Sequence, residues 1–447
     1  MKRRMSHCSS NDHTSNDRSS NDRTSNRRKV GLAIGIAMTM SAAPSAFADA
    51  VTDWNQKAAS FVNTAGGGPL QARVHAMVQI AVHDALNAID RRFETYTVTG
   101  SAPPSASPEA AIAQATRDVL FGTLPTLDRA SFDLNVYGPY VGGLACPAAA
   151  PSCIADGEAA GAAAAAAMLR ARELDGSASP HKPYTLAAGP GVYQATSPLP
   201  ASGPAVQMGG WSAVKPFALG NAAQFMPGRA QMLDVRSPEY AADYNEVKTL
   251  GSFAVRNAAP DSEESRIARF WPNGGRDYNA IVRTIVAPLP NRTLWDNARL
   301  FALVNMTASD ASVATFNVKY HYNFWRPVTA IRWGEEGNPA TSHDPSDASW
   351  SSYITTPPYP DYTCGLPTLV GASTGMLREY FGTDAIAFSH SAAGMVRNYS
   401  SLSQASAEAA AARVYGGIHF RTGCVRAVEQ AEDVASFVFH TQLRAVH

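Results

Sequence analysis

Four side chains set the chemistry this sequence can attempt. Lys319 and Arg326 stand in Lys-Tyr-His-Tyr-Asn-Phe-Trp-Arg-Pro, and about ninety residues on Arg413 and His419 stand in Ala-Arg-Val-Tyr-Gly-Gly-Ile-His-Phe-Arg. Three cations and one imidazole at these spacings can hold a tetrahedral oxyanion and aim a nitrogen at its central atom. Arginine suits the task because its planar fork gives two parallel bonds to an oxyanion, while lysine adds a compact point charge. Between the two segments lies Pro357-Pro358-Tyr359-Pro360-Asp361-Tyr362-Thr363-Cys364-Gly365-Leu366-Pro367-Thr368. It joins a rigid proline approach to one glycine and a helix start. Backbone N–H groups at a helix N-terminus bind anions, and Gly365 lets the main chain come close to one.

Helices must position these groups. Seven steps at about 100° each bring Arg326 back to the face of Lys319, with Pro327 ending that helix. Six steps would put Arg413 and His419 on opposite sides of one helix. Gly416-Gly417 solves this by stopping the helix near Tyr415 and turning His419 back toward the same pocket. Apolar residues at Leu70, Val74, Met77, Ala81, Ala85 and Ile89 recur at three or four, one buried helical stripe. Further helices are expected over 158–174, 238–255, 262–271, 293–316, 368–381, 406–415 and 425–439. Period-two alternation is scarce, so the fold class is all-α. Pro/Gly/Ser-rich connections at 101–108, 177–216 and 334–360 are long enough to cover a bundle end and shape an access channel.

The chain has 447 residues, with 37 Lys+Arg against 37 Asp+Glu. A balanced charge gives no reason to expect nucleic acid or anionic lipid as a partner. Residues 1–48 read as a polar, disordered leader followed by a signal peptide. Arg27, Arg28 and Lys29 precede an apolar run, and Ala46-Phe47-Ala48 offers a cleavage site. That run is short for a bilayer, so a periplasmic or secreted protein without a stable membrane anchor is expected, with one large domain over 49–447. Export leaves Cys146, Cys153, Cys364 and Cys424, an even number in an oxidising compartment. Cys146 and Cys153 bracket a short loop and are expected to pair, leaving Cys364 with Cys424. His75, His83 and Asp84 share a helix face but lack a third nearby ligand, so hydrogen bonding in the core outweighs a metal reading.

These pieces resemble the superfamily that unites vanadium-dependent haloperoxidases with type 2 phosphatidic acid phosphatases. The bacterial haloperoxidase-like branch is the nearest in pattern. Its signature is Lys-x6-Arg-Pro, then Pro-Ser-Gly-His, then Ser-Arg-x5-His. Asp49-Ala-Val-Thr-Asp-Trp-Asn, Ala81-Val-His-Asp-Ala-Leu-Asn, Phe324-Trp-Arg-Pro-Val-Thr-Ala-Ile-Arg and Tyr415-Gly-Gly-Ile-His-Phe extend the likeness. The resemblance implies an all-α helical-bundle fold, vanadate as cofactor, and hydrogen peroxide and halide as substrates. By position, Lys319, Arg326 and Arg413 would neutralise equatorial oxygens, Cys364 would stand in for a serine donor, and Gly365 would donate its N–H. His419 would be the apical vanadate ligand, or the nucleophile on phosphorus. Bacterial relatives also suggest a homodimer.

The chain departs from the pattern at the acid-base step. Pro-Ser-Gly-His becomes Thr363-Cys364-Gly365-Leu366, and leucine transfers no proton. His321, His343 and His390 are possible substitutes. Ala412 replaces the serine before Arg413, and Gly423 replaces an acidic residue often found four after the apical histidine, where Thr422 could contribute. The leading expectation is an exported haloperoxidase whose turnover is impaired at Leu366. The alternatives are a secreted acid phosphatase working through phospho-His419 on a phosphate ester, and a non-catalytic oxyanion-binding protein.

Overall fold

The computed structural model describes residues 49–63, 66–97, 100–196, 206–334 and 337–446. The leader and signal peptide expected over 1–48 lie outside the described residues. Apolar stripes and capping residues resolve into helices α1 (Ala50–Val62), α2 (Gly68–Ile89), α3 (Pro108–Thr123), α4 (Cys153–Ala171), α5 (Pro238–Leu250) and α6 (Glu263–Gly274). They continue as α7 (Tyr278–Val286), α8 (Leu294–Tyr322), α9 (Pro327–Trp333), α10 (Gly365–Phe381), α11 (Leu402–Tyr415) and α12 (Arg421–Thr441). Among the described residues, sheet is confined to the hairpin Phe388–Ala392 with Met395–Tyr399. No described helix is long and apolar enough to cross a membrane.

Helix α8 holds the architecture together. Thr293 and Asp296 form a capping box at its start, closing two of the N–H groups a helix leaves open. Apolar and small residues surround α8 on nearly every side, so it is buried all round instead of along one stripe. It packs on α2 from one group, in which α2, α3 and α4 touch one another, and on α10 and α12 from a second group completed by α11. Buried Asp310 on α8 accepts main-chain N–H bonds from Phe217, Ala218 and Leu219 at 2.6, 2.7 and 3.0 Å. Those bonds tie the long irregular connection to the bundle. On α10, a Cβ at Gly371 would sit 3.1 Å from the Val428 backbone, so glycine permits the close approach of α10 to α12.

Several boundaries differ from the sequence expectation. The helix foreseen over 238–255 breaks at Gly251, where the chain turns before the short helix Phe253–Ala258. Helix α8 runs past Phe316 to Tyr322 and ends with Asn323 in the left-handed region, φ 51°. Pro327 therefore ends nothing: it occupies the first turn of α9, with Arg326 as N-cap. Lys319 and Arg326 lie on different helices and meet through this turn, not by sharing a face.

Candidate active site

Three elements converge on one cavity of about 550 Å³. Helix α8 brings Lys319 in its last turn, α10 begins at Gly365, and the turn after α11 carries His419. Gly417 makes that turn with φ +74° and lies too close to Gly251 for either to carry a side chain. Gly365, Arg413 and His419 line the cavity, together with Leu366.

The buried cations have different occupations. The Lys319 ammonium donates to the carbonyls of Pro360 (3.0 Å), Asp361 (2.8 Å) and Thr363. It does not line the cavity; it pins the approach to Gly365 and contributes charge from behind. Arg326 is wholly buried and donates from Nε to the Tyr359 carbonyl (2.7 Å) and from Nη1 to the Ile418 carbonyl (2.8 Å). The Tyr359 ring centroid lies 5.1 Å from the Lys319 ammonium and 4.9 Å from the Arg326 guanidinium, a cation–π contact to both. Arg326 Nη2 and Arg413 Nε and Nη1 are buried without a hydrogen-bond partner.

A carboxylate completes the group. Asp361 Oδ1 is 2.6 Å from His419 Nδ1 and 3.6 Å from Arg326 Nη1. The same Arg326 Nη1 lies 2.8 Å from His419 Nε2 and 3.3 Å from Nδ1. Burial holds the imidazole neutral, pushing its pKa well below 6.5, and the charges of Arg326, Lys319 and Arg413 act the same way. Burial raises Asp361 to about 7 against the opposing pull of Arg326 and Lys319. Burial lowers Lys319 well below 10.5, and it lowers Arg413 to about 10. An ionised Asp361 at this distance favours the tautomer with a proton on Nδ1, whose Nε2 lone pair accepts from Arg326 Nη1.

Asp361 is the residue that sequence reasoning missed, because attention rested on Gly423. A Cβ on Gly423 would stand 3.5 Å from Asp361 Oδ2, so the carboxylate missing there is supplied from the neighbouring segment. Thr422 is turned elsewhere: its N–H donates to Asp243 at 2.9 Å. Cys364 and Cys424 form a disulfide, as do Cys146 and Cys153. Cys364 therefore has no thiol proton and cannot serve as the hydrogen-bond donor that its place in the sequence suggested. The bridge instead joins the start of α10 to the first turn of α12 beside His419.

None of the proposed substitute histidines lines the cavity. His321 is exposed beside Tyr322, His343 faces Asp347 at 3.3 Å, and His390 is buried against Phe270 and Trp271. Leu366 packs against Gly275, so the acid-base position is an apolar wall. On the first long helix, His83 Nε2 lies 3.0 Å from the Glu94 carbonyl and Asp84 accepts from Tyr96 and Thr97. These are core hydrogen bonds.

The donor set suits vanadate. The partly unpartnered Arg413 guanidinium, a helix N-terminus and a neutral imidazole face one space, and no carboxylate lines it among the described residues. Residues 299–447 match the family model for the second helical-bundle domain of VCPO. A vanadium chloroperoxidase of Curvularia inaequalis is 33% identical over 124 residues, 24% of this chain and 19% of that protein's length. A bacterial vanadium-dependent iodoperoxidase structure aligns with TM-score 0.74 and 24% identity, covering 89% of this chain and 97% of its own. A holo-type bacterial vanadium-dependent chloroperoxidase aligns with TM-score 0.65 and 17% identity, covering 84% and 93%. The chain is similar to the vanadium haloperoxidases, in sequence over 299–447 and in its helical-bundle fold over most of its length.

Proposed function

We propose that this protein is an exported, vanadate-binding haloperoxidase-type oxidoreductase in which residues 49–447 act as one domain. Hydrogen peroxide and halide are its substrates, as the names and fold of its relatives suggest. The observation that carries the proposal is a cavity lined by Arg413, whose Nε and Nη1 are orphaned, with the orphaned Arg326 Nη2 buried nearby and no carboxylate lining it among the described residues. A buried cation without a partner is costly, and an oxyanion removes that cost. Two disulfides are consistent with an extracytoplasmic location.

In this reading Arg413, Arg326 and the Gly365 N–H would hold the oxygens of the anion, and His419 would offer it Nε2 once Arg326 Nη1, 2.8 Å from that nitrogen, turns to the anion. Bound vanadate would supply a Lewis-acidic centre for peroxide chemistry. Lys319 fixes the Pro360–Thr363 main chain and adds positive charge from behind. Asp361 holds the imidazole tautomer. Leu366 delivers no proton, so protons must come from water or substrate, and turnover is about 10²–10⁴-fold below that of a site with a positioned acid-base group.

Reconstitution with orthovanadate followed by dialysis tests this. Retained vanadium and peroxide-dependent bromination of an activated dione are expected; no retention and no bromination would remove the proposal. Leu366 favours a second reading, an oxyanion-binding protein without turnover. Under that reading vanadate or phosphate binds, no product forms, and Leu366→His brings activity. A phosphatase is separated by hydrolysis of an aryl phosphate that vanadate inhibits and His419→Ala abolishes.

A further inference from the structure

The cavity holds two further arginines. Arg269 and Arg276 line it, on and just beyond α6, and the oxyanion reading uses neither. Arg269 is half-buried and donates from Nη1 to the phenolic oxygen of Tyr353 at 3.0 Å, a neutral partner that fixes its direction. The acidic residues at the start of the same helix are committed elsewhere: Glu263 pairs with Arg397 and Glu264 with Arg256. Among the described residues Arg276 is exposed with no ion pair, and its charge helps to depress the protonation of Arg413.

Much of the remaining wall is apolar: Met208, Phe316, Ile354, Leu366 and Leu369 line the same cavity, with Gln207, Ser312, Thr315 and Thr355. A site that admitted only peroxide and halide would need little room, whereas about 550 Å³ is in the range of organic ligand sites. Two further guanidinium groups and hydrocarbon side chains in one cavity match a molecule with an anionic head and an apolar body.

We infer that Arg269 and Arg276 form a second anion subsite, for the carboxylate of an amphipathic organic acid whose apolar part lies against Leu366 and Leu369. The inference rests on the reading of the inner end as an oxyanion site, and it names the class of organic substrate. The leucine that removes the acid-base group then has a second consequence, a contact surface for the body of that acid.

Calorimetric titration with octanoate and, separately, octanamide, with and without saturating orthovanadate, tests the subsite. Octanoate is expected to bind at least about tenfold more tightly than octanamide, and to bind alongside orthovanadate. Arg269→Gln and Arg276→Gln are each expected to weaken octanoate about tenfold, leave octanamide unchanged, and keep orthovanadate affinity within about threefold. Circular dichroism checks the fold, and exposed Arg276 provides the variant least able to disturb it. Equal binding of acid and amide, one-for-one competition with orthovanadate, or octanoate affinity unchanged in the double variant would each overturn the subsite. Failure of the wild type to bind orthovanadate counts against the inner-site reading alone, and the octanoate titrations without vanadate still decide the outer one.

Discussion

Replacing Asp361 with asparagine separates two effects of opposite sign. The carboxylate lies 2.6 Å from His419 Nδ1 and 3.6 Å from Arg326 Nη1. If bulk charge governed the pocket, Asp361→Asn would raise the positive potential and tighten anion binding. If the carboxylate acts by holding the Nδ1–H tautomer, the amide loosens that control, because asparagine can donate or accept toward the ring. Loss of such an orienting partner costs about 10–100-fold in affinity, or about 1.4–2.8 kcal/mol. The pH dependence follows from the shifts. His419 is pushed well below 6.5 and stays neutral across the range, so Asp361, raised to about 7, is the group that changes. Below that pH a protonated Asp361 donates to Nδ1 and moves the ring proton to Nε2, and above it Nε2 keeps a lone pair, held by Arg326 Nη1 until the anion displaces it. Wild-type vanadate affinity should therefore contain a rise through about pH 7 that Asp361→Asn lacks. Equilibrium dialysis with vanadium measured by atomic absorption, between about pH 5.5 and 8.5, reads both. Tighter binding in the variant, or an unchanged profile, would refute the tautomer argument.

Two cations of the pocket should respond to removal in opposite directions. Arg413→Met deletes a buried guanidinium with unpartnered nitrogens, so the unliganded protein should gain about 1–3 kcal/mol, seen as a higher melting temperature, while vanadate affinity falls at least about 100-fold. Lys319→Met strands the carbonyls of Pro360, Asp361 and Thr363, so stability should fall by about 3 kcal/mol or more in urea titration. The Cys364–Cys424 bridge spans 60 residues of sequence, for which loop entropy gives about 4 kcal/mol. Its replacement by two serines should lower stability by about 2–4 kcal/mol, and should weaken vanadate binding because Gly365 and His419 lie on the two segments it joins.

The helices with one clean apolar stripe were legible in the sequence, as α2 shows from Leu70 to Ile89. Helices α1, α3 and α7 were not anticipated, although Asp49, Ser107 and Asp277 cap their starts. The junction of α8 and α9 was misread because a seven-residue interval fits one helix as well as two. What distinguishes them is Asn323 in the left-handed region, a cost of folding that spacing does not register. The glycine turn before His419 was legible, since six residues on a helix would point the two side chains apart and Gly417 alone relieves it.

The site was legible as a list of charges and not as a balance among them. Counting Lys319, Arg326 and Arg413 as three equivalent clamps ignored that a buried ammonium must find acceptors in its own chain. Lys319 finds three carbonyls, and Arg326 divides its donors between main chain and His419. Only then do the unpartnered nitrogens of Arg413, which lines the cavity, stand out. The one carboxylate that offsets them comes from a position whose identity no histidine-centred pattern tests. Because Gly423 leaves the space that Asp361 fills, a change at one site would be felt at the other. Restoring an acid at Gly423 while Asp361 remains would place two carboxyl groups against one imidazole, and like charges there would push at least one of them to hold its proton. One ionised carboxylate beside His419, and not two, is therefore expected.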